Sequence, residues 1–264
     1  MTQALDTRWF DPARLNVLVG ILLFTTFLVI NIFRARAKGT LYVRPIAGLE
    51  ALDEAIGRAT EMGRSVLYVP GLSDMSEVGT FAAITILYRL AQRIAEMGCD
   101  LDVPCYDPVV MTVLDGSVRE AYSKAGRPDA FRPGSVHYVS AQQFAYVAAV
   151  NGYMLRDRPA AIIYMGSFYA ESLLLAETGA STGAIQIAGT DKVTQLPFFV
   201  CACDYTLLGE ELFAASAYLG REPIQLATII AQDWAKALAV VAVVAALALS
   251  IAGHTWLISW LKIG

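Results

Sequence analysis

The apolar positions of this chain fall into long unbroken runs at both ends, with strand-like and helix-like rhythms alternating between them. Leu15 to Phe33 is 19 residues without a charge. At about 1.5 Å per helical residue, that length just crosses a hydrocarbon core of roughly 30 Å. Arg34, Arg36 and Lys38 follow directly. These flanks suit an uncleaved signal anchor better than a cleaved signal peptide, although Ala35-Arg36-Ala37 has small-x-small spacing. Ala237 to Leu261 is 25 residues without Asp, Glu, Lys or Arg. Trp256 and Trp260 stand near its far end, where amphipathic rings settle at headgroups, and Lys262 closes it. His254 there reads as an interfacial residue rather than a proton relay.

The middle of the chain changes period repeatedly. Leu41–Ile46 predicts a short strand, and residues 49–62 a helix with Leu49, Leu52, Ile56 and Ala59 on one face. Strands are predicted at Ser65–Gly71 and Asp102–Asp107, with a helix over Glu77–Met97 between them. A further helix starts at Pro108, since proline suits a first helical position. Val136–Ser140 reads as a strand and Ala141–Arg156 as a helix. Ala160–Gly166 is an almost continuous apolar run, the mark of a strand buried on both faces. A helix over Tyr169–Glu177, strands at Ala184–Gly189 and Pro197–Asp204, and a helix over Tyr205–Leu219 complete the series. Such alternation means βαβ units with right-handed crossovers. The predicted fold is α/β: a Rossmann-like, mostly parallel sheet flanked by N- and C-terminal transmembrane helices. Residues 1–38 form a tail and first span, 39–222 the α/β domain, and 223–264 a linking helix continuous with the second span. Glu222-Pro223 opens that last helix, and no Gly or Pro separates it from the span, so it couples domain and anchor.

Composition agrees with two spans. Mean hydropathy is +0.50 and 56% of residues are hydrophobic, above an ordinary soluble domain. Net charge is −4, and residues 39–235 hold 13 Lys/Arg against 22 Asp/Glu, a net −9. An acidic domain of this kind excludes nucleic acid as a partner, because phosphate binding needs a basic face. Membrane lipid is the partner the spans imply. Arg34, Arg36, Lys38, Arg44, Arg221 and Lys236 lie on the domain side of the spans, and Arg8, Arg14 and Lys262 beyond them. That bias places the domain in the cytoplasm with both termini outside. Cys99, Cys105, Cys201 and Cys203 read as small reduced thiols. They lack the C-x₂-C-type spacing of a zinc site.

Open α/β sheets bind ligands beyond the carboxyl ends of their strands. That rule selects Gly71, Ser73, Asp74, Asp107, Ser140, Gly166, Ser167, Thr190, Asp191 and Asp204 as candidate ligand-binding residues. Several pair Gly with Ser, Thr or Asp, which suits an anion at a helix start. Gly71 to Glu77 follows a strand and opens a helix as a phosphate loop does, but it matches neither dinucleotide nor P-loop spacing. Asp74-x-x-Glu77 equally resembles a capping pair. Asp107 and Asp204 at strand ends suit Mg²⁺, and suit helix capping better. Gly179-Ala-Ser181-Thr-Gly183 has G-x-S-x-G spacing with the helix before it and the strand after it. A nucleophile elbow needs the reverse, so this reads as a helix C-terminal turn. His137 is the one histidine between the spans, and no Ser-His-Asp set forms around it in the sequence. No cofactor motif is complete and no metal site is assigned.

The segments Val78–Leu90 and Phe144–Leu155 are apolar around most of the helical wheel, so each is buried on more than one side. Phe213–Leu219 adds a small-residue face. Together these predict a homo-oligomer. The stretch Leu196–Pro223, the loop Val69-Pro-Gly-Leu-Ser-Asp74 and Cys105-Tyr-Asp-Pro108 resemble a prokaryotic family of membrane proteins known only as a domain of unknown function. That resemblance implies a membrane-anchored α/β domain and brings no catalytic residue. The leading expectation is a scaffolding or binding protein that organises an inner-membrane assembly. Its rival is a membrane-tethered enzyme or sensor that holds a nucleotide or other small phosphorylated ligand at the candidate residues.

Overall fold

In a computed structural model the described residues are 15–38, 47–220 and 223–253. The chain divides into two compact units. One is Val43–Arg221, and the other combines Met1–Tyr42 with Glu222–Gly264. The predicted strand at Leu41–Ile46 lies outside the described residues, as do His254, Trp256, Trp260 and Lys262.

The unit built from the chain ends contains α1 (Leu15–Lys38) and α9 (Pro223–Ile251). α9 runs unbroken from Pro223, as the absence of Gly and Pro predicts. Leu15–Arg34 and Ala227–Ile251 are both long and apolar enough to cross a membrane, with mean hydropathies of 2.3 and 2.2. Phe27 meets Trp234 edge to face at 6.4 Å. Gly20, Phe24, Ala235, Ala239 and Ala242 line an apolar groove of about 490 Å³ between the two helices.

The other unit is a single parallel sheet of six strands. They are β1 (Val66–Val69), β2 (Leu101–Cys105), β3 (Val136–Tyr138), β4 (Ala161–Met165), β5 (Ile185–Thr190) and β6 (Tyr205–Leu208), ordered β3-β2-β1-β4-β5-β6. Every pairing is parallel. Side chains alternate between two cores with the period of two that a pleat imposes. Val66 and Tyr68 of β1, with Ala161, Ile163 and Met165 of β4, enter the core beneath α2 (Ala47–Met62), α3 (Val78–Met97), α4 (Pro108–Lys124) and α8 (Glu210–Gly220). Leu67, Val69, Ile162 and Tyr164 enter the core beneath α5 (Gln143–Asp157), α6 (Ser172–Thr182) and α7 (Leu196–Ala202). Both faces of the sheet are therefore covered, which is why β4 reads as one unbroken apolar run.

The structure corrects three predicted elements. Pro197–Asp204 is not a strand, because Leu196–Ala202 folds as α7. Pro197 sits in its first turn, where the missing N–H has no partner to lose, and the Cys203 N–H closes the helix on the Phe199 carbonyl. A short apolar run cannot be assigned by periodicity alone, and only Phe199 of this helix is buried. The predicted helix over Tyr205–Leu219 opens instead with β6, and Gly209 at φ 53° turns the chain into α8. The helix predicted over Tyr169–Glu177 runs as Ser172–Thr182 and includes Gly179, because Tyr164 and Gln186 close in on that turn. Gly183, at φ 72°, then ends α6 in the left-handed conformation.

Candidate functional site

The strand order reverses between β1 and β4, so the loops leaving these two strands flank the switch point. They are in direct contact. The Leu72 N–H donates to the Ser167 carbonyl at 3.0 Å. Gly71, at φ 81°, lies so close that a Cβ there would stand 2.7 Å from the Ser167 carbonyl oxygen. Gly166, at φ 129°, packs in the same way on Pro70, with a Cβ reaching 2.6 Å from its carbonyl oxygen. Only glycine fits either position.

Side chains extend this contact. Ser73 lies 3.2 Å from the Tyr169 hydroxyl. The Ser167 hydroxyl, fully buried, donates to Asp191 Oδ1 at 2.7 Å. Lys192 Nζ bridges Asp191, at 3.5 Å, to Glu77, at 2.9 Å. The hydrogen bond to Glu77 is the largest influence raising the Lys192 ammonium above its ordinary value. Glu77 is the N-cap of α3, and its side chain makes no capping bond. Gly79 in the first turn of α3 lets Ser167 and Asp191 approach the helix, because a Cβ there would stand 3.0 Å from Asp191 Oδ1. Two carboxylates and one ammonium thus gather around the N-terminus of a 20-residue helix, whose dipole favours negative charge.

The remaining candidates are engaged locally. Asp74 accepts from the backbone N–H of Ser76 at 2.9 Å and from its hydroxyl, and these bonds hold its carboxyl below the usual range, the hydroxyl contributing most. Asp107 caps α4, accepting from the N–H groups of Val109 and Val110 at 2.8 Å each. Ser140 Oγ accepts from the Gln142 N–H at 3.1 Å. Thr190 Oγ1 accepts from the Lys192 N–H at 3.2 Å. Asp204 precedes β6 and exchanges two backbone-directed bonds with Gln186 near the start of β5. It therefore lies at the amino ends of the strands, opposite the other candidates, a consequence of β6 beginning at Tyr205.

The structure thus brings Gly71, Ser73, Gly166, Ser167 and Asp191 together, and leaves Asp107 and Ser140 on their own helix entries. Sequence reasoning missed Lys192, Tyr169, Gly79 and Glu171. Glu171 is fully buried and accepts from the Tyr169 N–H at 2.7 Å and from Gln143 Nε2 at 2.5 Å. Its one sequence signal is that it is the sole charged residue between Arg158 and Glu177. Thr80 Oγ1, also in the first turn of α3, is buried without a partner among the described residues. No group of three His, Cys, Asp or Glu side chains able to hold a metal occurs among the described residues. His137 is 3.4 Å from Asp102, away from Ser167. Among the described residues the hydrogen-bond acceptor of the Ser167 hydroxyl is the Asp191 carboxylate, which ties the β4 loop to the β5 loop.

Fold and site together define a doubly wound parallel α/β unit whose switch point is closed by its own loops, in a chain with two helices long and apolar enough to cross a membrane. The chain belongs to the family described as Domain of unknown function (DUF6754), which matches residues 5–261. No curated protein and no solved structure matches it.

Proposed function

We propose that this protein is a membrane-anchored, homo-oligomeric scaffolding or binding protein that organises an inner-membrane assembly in a bacterial or archaeal cell. One observation carries the reading: every polar candidate at the strand ends is already engaged by another group of its own domain. A ligand crevice keeps donors open toward its ligand, whereas here loops and carboxylates occupy the switch point. Asp191 and Glu77 also stand where a phosphate would seek the α3 N-terminus, and like charge opposes it. α1 and α9 are the two spans in this reading. The excess of Lys/Arg on the domain side supports a cytoplasmic α/β unit with the tails outside.

Native mass spectrometry on protein extracted gently from its own membrane tests this. A homo-oligomer without added mass is the expected result, and a monodisperse monomer overturns it. The second reading, a sensor or enzyme for a phosphorylated ligand, is favoured by the β3-β2-β1-β4-β5-β6 order and by the orphaned Thr80 hydroxyl in the first turn of α3. A bound small molecule of nucleotide-like mass would put that reading first.

A further inference from the structure

The two helix layers that enclose the sheet differ in charge. α2 alone carries Glu50, Asp53, Glu54, Arg58 and Glu61, and α4 carries Asp115, Arg119, Glu120 and Lys124. The layer on the other face is α5, α6 and α7, which pack in that sequence, α5 on α6 and α6 on α7. Its three helices hold only Arg156, Asp157 and Glu177, the first two at the very end of α5. Both layers expose large apolar side chains, Val78, Phe81, Val109 and Val113 among them on the charged layer, but on α5, α6 and α7 they stand almost without charge. Phe144 is 66% exposed and Leu155 57% on α5, Leu173 and Leu174 are exposed on α6, Val200 is 55% exposed on α7 together with Phe198, and Val193 lies just before that helix.

Seven such side chains, each about half exposed, leave on the order of 700 Å² of apolar surface, taking ~150–250 Å² for a large aromatic and somewhat less for Leu and Val. A typical monomer's largest apolar patch is roughly 300–600 Å², and one partner in a standard interface buries about 800 Å². The summed area is close to what one partner of such an interface buries.

Charge selects the occupant. The helices of the charged layer, α2, α3, α4 and α8, hold nine Asp/Glu against five Lys/Arg, so two copies meeting through it would oppose a net negative charge. The α5–α6–α7 layer lets them meet without that repulsion. Helices that lie on lipid surround their apolar face with Lys and Arg, and the helices of this layer carry only Arg156, with Arg158 at the end of α5 and Lys192, held by Glu77, before α7. We propose that the α5–α6–α7 layer is the surface on which a second copy of this chain docks. The proposal rests on the homo-oligomer reading above and names the face that reading leaves open.

The layer contains its own reporter, because Cys201 on α7 is exposed whereas Cys105 is buried and Cys99 and Cys203 are partly covered. The full chain in a mild detergent or nanodisc is treated with a short bis-maleimide and weighed intact. Phe144→Glu and Val200→Glu, singly and together, are compared with Glu54→Lys on the charged layer. The expected result is an inter-chain Cys201 cross-link in the wild type, a lower subunit number in the Phe144→Glu/Val200→Glu variant, and no change in Glu54→Lys. An oligomer whose subunit number is untouched by both charges, with Cys201 uncross-linked, overturns the assignment of this face and leaves the homo-oligomer reading standing. A wild-type monomer overturns both. The cross-link is read on the unaltered chain, so a variant that fails to fold does not shelter the proposal.

Discussion

Ser167 and Asp191 meet across the ends of β4 and β5, the hydroxyl donating to the carboxylate at 2.7 Å, and the pair rests against Gly79 of α3. The contact depends on the missing side chain. A Cβ at Gly79 would stand 2.6 Å from Ser167 Oγ, which no real Cβ tolerates. Gly79→Ala therefore sets two effects against each other. The helix gains about 1 kcal/mol of propensity, and overpacking removes ~1–3 kcal/mol while breaking the Ser167–Asp191 bond. The expected net is a loss of up to about 2 kcal/mol in urea unfolding. Ser167→Ala removes the atom the methyl would strike, so the double variant should lose less than the sum of the singles. Strict additivity, or a Gly79→Ala variant more stable than wild type, would show that the approach is not close.

Thr80 gives the opposite sign. Its hydroxyl is buried in the first turn of α3 and has no partner among the described residues, so it retains the desolvation penalty without a hydrogen bond. Thr80→Val keeps the branched shape and removes that penalty. It should raise stability by about 1 kcal/mol. The measurement is the thermal midpoint of the full chain, run beside Thr85→Val. Thr85 donates to the Phe81 carbonyl at an exposed position and should stay within about 0.5 kcal/mol of wild type. A destabilised Thr80→Val would mean the hydroxyl has a partner in solution, which is what the phosphorylated-ligand reading needs.

The sheet was largely legible because its strands are short apolar runs bounded by Gly, Pro and Asp, and burial on both faces makes such runs conspicuous. Ala161–Met165 and Pro108 illustrate this, the first as an unbroken core strand and the second as a helix start with its Asp107 cap. Leu196–Ala202 was not legible, since seven residues are too few to separate a 3.6-residue period from a two-residue one. The error carried Asp204 to the carboxyl end of a strand, whereas it precedes the amino end of β6. For the site, the rule about strand ends named the loops of β1, β4 and β5, and these do converge. It could not name the bonds. Ser73–Tyr169 and Lys192–Glu77 join residues 96 and 115 positions apart, and nothing local records such pairings.

The cysteines should separate by environment. Burial pushes the Cys105 thiol up to about 12, with the nearby Asp102 and Asp107 carboxylates adding to it. Cys203 is pushed up to about 12 by burial first and by Asp204 second. Thiolate is the reactive species, so both should resist alkylation at pH 8 while the chain is folded. Cys201, exposed on α7, should react first in any chain whose α7 is uncovered. Timed maleimide labelling followed by peptide mass mapping reads the order. Early labelling of Cys105 in folded protein would contradict its buried place on β2.

Asp102 sets the pH dependence. Burial is the largest influence on its carboxyl and raises it above the ordinary value, against the attraction of His137 at 3.4 Å and of Arg132. A carboxyl raised by folding binds its proton more tightly in the folded chain than in the unfolded one. Stability therefore falls as pH rises from the ordinary carboxylate value through the raised one, and the penalty is complete above it. Asp102→Asn cannot ionise, so it escapes the penalty. It should melt higher than wild type at neutral pH, with the advantage shrinking on acidification and vanishing below the ordinary carboxylate range. Thermal midpoints of both proteins between pH 3 and pH 8 decide it. A lower midpoint for Asp102→Asn at neutral pH would show that the pairing with His137 outweighs the desolvation. A constant difference across the range would show that the carboxyl does not titrate out of step with folding at all.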